Sequence, residues 1–218
     1  MTHAPAQLRR AAAIIGLGLT AISLSACVTV FPKTKPAQLY HLGLEAEGGP
    51  QAASGAGVSV LQGAIQFNRE VAGDRLLTRQ GNQAAYVAQA RWTMPATLLF
   101  EESLAKAFMR GTGDARLISP KDPVSAKLVL RLDVRALEIR YGEGSRRSPV
   151  AVVNLSGLLA DADQRTLVSQ SVFDCQVPAK SNRVQSLVTA LNQALSDCQG
   201  QVVKWTDQSA AGFAKPKG

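Results

Sequence analysis

Between residues 126 and 205 the apolar positions change period. Leu128, Leu130, Leu132 and Val134 alternate with charged or outward positions, the two-residue period of a strand with one buried face. The phase then slips, and Leu137, Ile139 and Tyr141 fall on odd numbers. Such a slip turns side chains to the other face unless a bulge absorbs it, so a bulge is expected near Ala136–Leu137. GEGSRRSP, residues 142–149, reads as an exposed turn, and Val150 to Leu159 as the antiparallel return. DADQRT turns again into a third strand, about Leu167 to Val177. From about Ser181 to Trp205 the period becomes 3.6: Val184, Leu187, Val188, Leu191, Ala194, Leu195, Cys198, Val202 and Trp205 share one face of a long helix.

Upstream, QLYHLGL (38–44) reads as a short strand with Tyr40, Leu42 and Leu44 on one face. Residues 45–57, small and polar, read as a loop, and VSVLQ (58–62) as a strand. Gly81-Asn82 divides two extended stretches within 74–92, a hairpin signal. Pro95 suits the first turn of a helix whose apolar face is Phe100, Leu104, Ala107 and Phe108. Gly111 is placed to cap that helix. Strands, a helix, a meander and a final helix predict an α/β fold with two main helices packed on a mixed, mostly antiparallel sheet.

The first residues follow another logic. Arg9 and Arg10 are the only charged residues before Cys27, and an apolar run of 14 residues, 11–24, follows them. That run suits a signal peptide and is short of the ~20 residues a spanning helix needs. Leu24-Ser25-Ala26-Cys27 fits the bacterial lipobox, in which the cysteine sulfur carries a diacylglycerol. The expected organisation is therefore a signal peptide over 1–26, a lipid-anchored tether over 27–37, one domain over 38–207 and a disordered tail over 208–218. Acyl chains in combination give stable membrane attachment. Val28, where an aspartate would resemble an inner-membrane retention signal, leans the expected location toward the outer membrane, with the domain facing the periplasm.

Without Arg9 and Arg10, 22 basic residues face 16 acidic ones, a net charge of +6. A modestly basic chain suits an anionic membrane surface. Nucleic acid is a poor partner for an exported, tethered protein whose positive residues are scattered apart from Arg146-Arg147. Cys175 and Cys198 would lie in a compartment that permits disulfides. They are either a bridge or two buried thiols, and residue types alone leave both open.

Chemistry is sparse. The mature chain has one histidine, His41, within an expected strand, where a structural role outweighs a catalytic one. With no second histidine, a zinc site with Cys175 and Cys198 is not expected. Ser103-Leu-Ala-Lys106 matches S-x-x-K, but its companion motifs are missing, and Ser103 is expected on a solvated helix face. Glu101 and Glu102 are ~100° apart around a helix and form no facing pair. Asp161 and Asp163 sit in a turn, where Asp is common for backbone reasons. Gly111-Thr-Gly113 follows a helix rather than a strand and is no phosphate loop. By elimination the chain reads as a non-enzyme without cofactor or metal.

YHL after the tether, then GDRLLTRQGNQAAYVAQARWTMPATLLFEESLAKAF, then the final helix ending in VVKW, resemble the ABC-type transport auxiliary lipoproteins, a family that includes the paraquat-inducible protein C group. The most specific piece is Asp74-Arg75 with Ala90-Arg91-Trp92 and Pro95. The resemblance implies a three-layer α/β fold. It also implies an accessory role beside an MCE-domain substrate-binding protein and an ABC permease and ATPase that move lipids or other hydrophobic molecules. Lipid binding and assembly into a homo-oligomer are compatible with that role. Arg91 and Trp92 have two readings, a partner contact or a tryptophan closing the core with Arg91 paired to Asp74. High average burial of tryptophan favours the second. The alternative function is a structural or assembly lipoprotein of the envelope, bound to an outer-membrane or cell-wall partner.

Overall fold

The computed structural model describes residues 36–43, 57–142 and 148–214. The expected signal peptide, Cys27 and most of the tether lie outside the described residues, as do Leu44, most of the loop 45–57, the centre of the turn 142–149 and residues 215–218.

A single long strand organises the sheet. β6 (Leu128–Tyr141) pairs antiparallel with β7 (Val150–Asp161), from Leu128 opposite Asp161 to Arg140 opposite Val150. Its other edge is shared. β2 (Val58–Phe67) lies parallel to Leu128–Val134, and β3 (Arg75–Gln80) lies parallel to Glu138–Tyr141. The strands are β1 (Gln38–Tyr40), β2 (Val58–Phe67), β3 (Arg75–Gln80), β4 (Gln83–Trp92), β5 (Ala115–Ile118), β6 (Leu128–Tyr141), β7 (Val150–Asp161) and β8 (Leu167–Pro178). β5 lies beyond β2, β4 and then β1 lie beyond β3, and β8 lies beyond β7. The bulge expected near Ala136–Leu137 is found between Val134 and Ala136. It falls where the free edge of β6 passes from β2 to β3. The sheet is mixed: the long β6–β7–β8 ladders are antiparallel, while four of the seven pairings among the described residues are parallel.

Helix α1 (Ala96–Arg110) begins directly after Pro95. Its Phe100, Leu104 and Phe108 are buried, as their spacing predicts. Gly111 closes it in an extended conformation, its N–H donating to the carbonyls of Ala107 and Phe108. Phe100, fully buried, meets Phe67 of β2 edge-on with ring centroids 5.4 Å apart. Truncating such a side chain to alanine costs about 3–5 kcal/mol.

Helix α2 (Val184–Ala214) runs past the Trp205 end expected for it. Residues 208–214, expected in a disordered tail, are helical instead. Thr206 and Ala210 are fully buried and carry the apolar stripe onward. The helix passes antiparallel over β8: Cys198 meets Cys175, and further on the Trp205 indole N–H donates to the Ser169 hydroxyl at 3.0 Å.

Both helices pack on the same face of the sheet and touch each other, since Gln199 of α2 hydrogen-bonds Ser103 of α1. The described residues thus form two layers, helices on sheet, where the resemblance implies three. Their apolar side chains meet in one core.

Two strands differ from their expected extents. β1 ends at Tyr40, because Gly43 at φ +96° turns the chain away. A Cβ on Gly43 would stand 2.8 Å from Ser103 Cβ, so the turn also needs a residue without a side chain. β2 runs to Phe67, five residues beyond the expected 62. β5, which carried no periodic signal, forms as an edge strand.

Candidate functional site

Side chains alternate faces along a strand, and bridge partners share a face. On β6, Leu128, Leu130, Leu132 and Val134 face the helices and are buried. Val129, Arg131 and Asp133 therefore face the other way, toward a side that carries no helix among the described residues. The register builds a feature there that no single strand contains. Ile118 of β5 pairs with Leu61 of β2, Leu61 with Val129 of β6, Val129 with Ala160 of β7, and Ala160 with Leu167 of β8. The result is an apolar row across five strands. At ~4.8 Å per strand it is ~19 Å long. Ile118, Leu61, Val129 and Ala160 are half-buried, and Leu167 is 60% exposed.

The row ends in a groove of about 590 Å³, lined by Val129, Arg131, Leu158, Ala160, Arg165 and Leu167 among others. The turn that follows β7 forms one wall. Asp161 Oδ1 accepts the backbone N–H groups of Asp163 and Gln164, both at 2.8 Å. The Arg165 N–H donates to the Asp161 carbonyl at 3.1 Å, and Arg165 itself adopts φ +55°. Neither Arg131 nor Arg165 makes an ion pair among the described residues.

The C-terminal half of β6 has a different environment. Glu138, 2% exposed, accepts from Arg79 Nε at 2.9 Å and from Arg140 Nε at 2.7 Å. Arg79 also reaches Glu70 at 2.5 Å. Hydrogen bonding to Glu138, then that carboxylate's charge, pushes the Arg79 pKa up. Arg75 stacks 4.5 Å over the Tyr86 ring. Burial pushes the Tyr141 phenol up, and its hydroxyl donates to Asn182 at 2.5 Å. Here arginines and carboxylates already satisfy each other. A second hollow, of about 510 Å³, lies here, but its Arg79, Arg135 and Arg140 are paired with carboxylates, whereas Arg131 and Arg165 of the groove pair with none among the described residues.

The residues singled out in the sequence are dispersed. Trp92 is 4% exposed and sits in the core, its backbone N–H donating to the Asp74 carbonyl at 2.7 Å. Arg91 is half-exposed and pairs with Asp74 Oδ2 at 2.7 Å. That hydrogen bond, foremost among the causes, draws the Asp74 carboxyl below its ordinary value. Ser103 is buried between the helices, not on the solvated face expected for it, because its hydroxyl donates to the Phe100 carbonyl and accepts from Gln199. Lys106 points away to Glu102 at 2.7 Å, and the S-x-x-K pair is not assembled. Nδ1 of His41 lies 3.4 Å from the Thr93 hydroxyl. Cys175 and Cys198 are joined by a disulfide between β8 and α2. Among the described residues no group of three or more His, Cys, Asp or Glu is arranged to hold a metal ion, and no helix is long and apolar enough to cross a membrane.

Several connecting residues carried no sequence signal. Asn192 of α2 accepts from the Gly43 N–H at 2.9 Å and donates to the His41 carbonyl at 3.3 Å, standing in for a strand partner where β1 stops. Asp207 of α2 accepts the Ala115 N–H at 2.8 Å and so anchors β5. Burial, above all, pushes its carboxyl up.

No curated protein matches the chain. Among solved structures, a protein of Xanthomonas campestris superimposes with a TM-score of 0.70 at 20% identity, covering 82% of this chain and all of that one. A second crystal structure, of an uncharacterized protein, gives 0.61 at 14% identity over 79% of this chain and 99% of that one. A hypothetical protein of Chlamydia trachomatis gives 0.50 at 13% identity over 72% and 99%. At these identities the likeness is one of fold. The model of the ABC-type transport auxiliary lipoprotein component matches residues 40–203, from the end of β1 to far along α2, and the chain belongs to that family.

Proposed function

We propose that this protein is a lipid-anchored accessory subunit of an MCE-type ABC transporter that moves lipids or other hydrophobic molecules through the cell envelope. The family match over residues 40–203 carries this reading. The lipobox at Leu24–Cys27 supports the anchor, with Cys27 as the acylated residue. The protein acts by binding and positioning rather than by catalysis. Cys27 holds it at a membrane face, in this reading the outer membrane on its periplasmic side. A ten-residue tether spans at most ~30 Å, at ~3.1 Å per residue for a fully extended Pro-containing chain, which bounds the domain's distance from that face. The domain then docks on the MCE-domain subunit beside the permease and ATPase, alone or as a homo-oligomer. Half-exposed Arg91 is a candidate contact in that docking, whereas buried Trp92 acts through the shape of the surface it supports.

The test is purification of the native lipidated protein in mild detergent, with mass spectrometry of what accompanies it. Recovery of an MCE-domain protein and a permease is the expected result. Recovery of only barrel or cell-wall components would overturn the transporter reading in favour of a structural lipoprotein. A Cys27→Ser protein should leave the membrane fraction; membrane retention of that variant would refute the anchor.

A further inference from the structure

We propose that the apolar row Ile118–Leu61–Val129–Ala160–Leu167, with Arg131 and Arg165 at its groove, binds a single phospholipid, one acyl chain along the row and the phosphate at the two arginines. The inference deepens the reading above and rests on it only for the source of the lipid.

The row's length is the first argument. One leaflet of a ~30 Å hydrocarbon core is ~15 Å deep, so an acyl chain fits within the ~19 Å of the row. Its width is the second. One step along the strands stand Arg131, Leu158 and Gln170, and the next step brings Asp133 and Ser156. The apolar strip is thus about one residue wide over most of its length. A stable protein partner needs ~800 Å² on each side, mostly well packed, whereas one alkyl chain needs only a strip.

Charge is the third. Arg79, Arg91, Arg135 and Arg140 each have a carboxylate within 3.2 Å. Arg131 and Arg165, which line the groove, have none among the described residues. Two guanidinium-bearing residues lining one groove beside apolar surface suit a phosphate ester of an amphiphile, because arginine binds phosphate through several donors at once. Arg165 is also held in a left-handed backbone conformation by the turn built on Asp161. Non-glycine residues adopt that conformation at a cost, and such positions cluster at binding sites.

The test uses the full lipidated chain in phosphatidylcholine vesicles doped with phosphatidylglycerol that carries a diazirine in one acyl chain. After illumination, tryptic peptides are mapped for adducts. Adducts are expected on peptides that contain Leu61, Val129, Ala160 or Leu167, as well as near the anchor. Leu167→Glu, which sets a charge against the acyl chain, and the pair Arg131→Glu with Arg165→Glu, which removes charge-assisted contacts to the phosphate, should each reduce the adducts at the row by ~10-fold. Adducts near the anchor should not change, which controls for vesicle attachment. All three positions are exposed, and circular dichroism of each variant verifies folding. Adducts only near the anchor would overturn the proposal. So would equal labelling of the variants, or equal labelling by a diazirine diacylglycerol that lacks phosphate. A row that stays unlabelled while Leu167→Glu loses a co-purifying protein would assign the face to a protein partner instead. The purification described above fails or succeeds separately: labelling without a transporter sinks the accessory role and keeps the site, and a transporter without labelling does the reverse.

Discussion

Gln199 of α2 donates from Nε2 to the Ser103 hydroxyl of α1 at 2.7 Å, with both residues buried. The hydroxyl in turn donates a hydrogen bond to the Phe100 carbonyl at 2.9 Å. The serine is therefore committed to joining two helices. Ser103→Ala should leave the Gln199 amide only its longer, 3.5 Å contact to the Phe100 carbonyl and cost about 1–3 kcal/mol, the range for a poorly satisfied buried donor. Urea unfolding measures the loss. Transport of whatever the complex carries should persist wherever the variant stays folded. Loss of transport in a stably folded Ser103→Ala protein would contradict a purely structural hydroxyl.

The disulfide between Cys175 and Cys198 closes a loop of sequence separation 23. On the loop-entropy model a closure of that size stabilises the fold by about 3 kcal/mol. A Cys175→Ala, Cys198→Ala protein should unfold at correspondingly lower denaturant. Without reduction, mass analysis should find the tryptic peptide 166–180 linked to 184–204, and finding both peptides free would refute the bridge.

Glu138 lies between Arg79 and Arg140 with its side chain almost fully buried. Glu138→Ala removes the carboxylate from both. The arginines are partly exposed and regain water, so the cost should be about 1–3 kcal/mol rather than that of a fully buried charge. Glu138→Gln, which keeps the shape and one acceptor, should lose less. Thermal unfolding of the two variants checks that order.

Asp207 has its carboxyl pushed above the ordinary 3.8, chiefly by burial. A raised acid pKa means the folded state holds the proton more tightly than the unfolded state. The contribution of Asp207 to stability is thus most favourable below 3.8 and declines as pH rises through the folded value. Asp207→Asn keeps an acceptor for the Ala115 N–H and removes the titration. The variant's stability relative to the natural protein should rise with pH over that window and then level off. A flat difference across acidic pH would show that the carboxyl is not shifted.

Arg165 at φ +55° gives a second separation of stability from function. Arg165→Gly relieves the backbone cost but adds freedom to the unfolded chain, and the net gain should be a few tenths to about 1 kcal/mol. The same variant should lose phospholipid adducts at the row. Increased stability with undiminished labelling would detach Arg165 from the site.

The long periodic segments were legible before any coordinates. β6 with its phase slip, the hairpin at Gly81-Asn82 (where Gly81 takes φ +53°) and the stripe of α2 all rest on local pattern. β5 was not legible, since its four residues are too few to show a period. It exists because β2 offers an edge and Asp207, 92 residues away, takes its first N–H. The end of α2 lies beyond its expected position for a related reason. Ser209, Ala210, Ala211 and Gly212 look like a tail, yet Ala210 is fully buried, which only a neighbouring surface can arrange.

By itself the chain determined its parts: a lipobox pattern at Leu24–Cys27, a family pattern from Tyr40 onward, and which segments extend or coil. Each depends on residues close together in sequence. Tertiary structure alone decided that both helices share one face, that Ser103 turns inward while Arg91 stays at the surface, and that five separate strands align Ile118, Leu61, Val129, Ala160 and Leu167. Such a row is a property of register. Strand pairing sets register through hydrogen bonds and core packing between distant segments, so no window of sequence contains it.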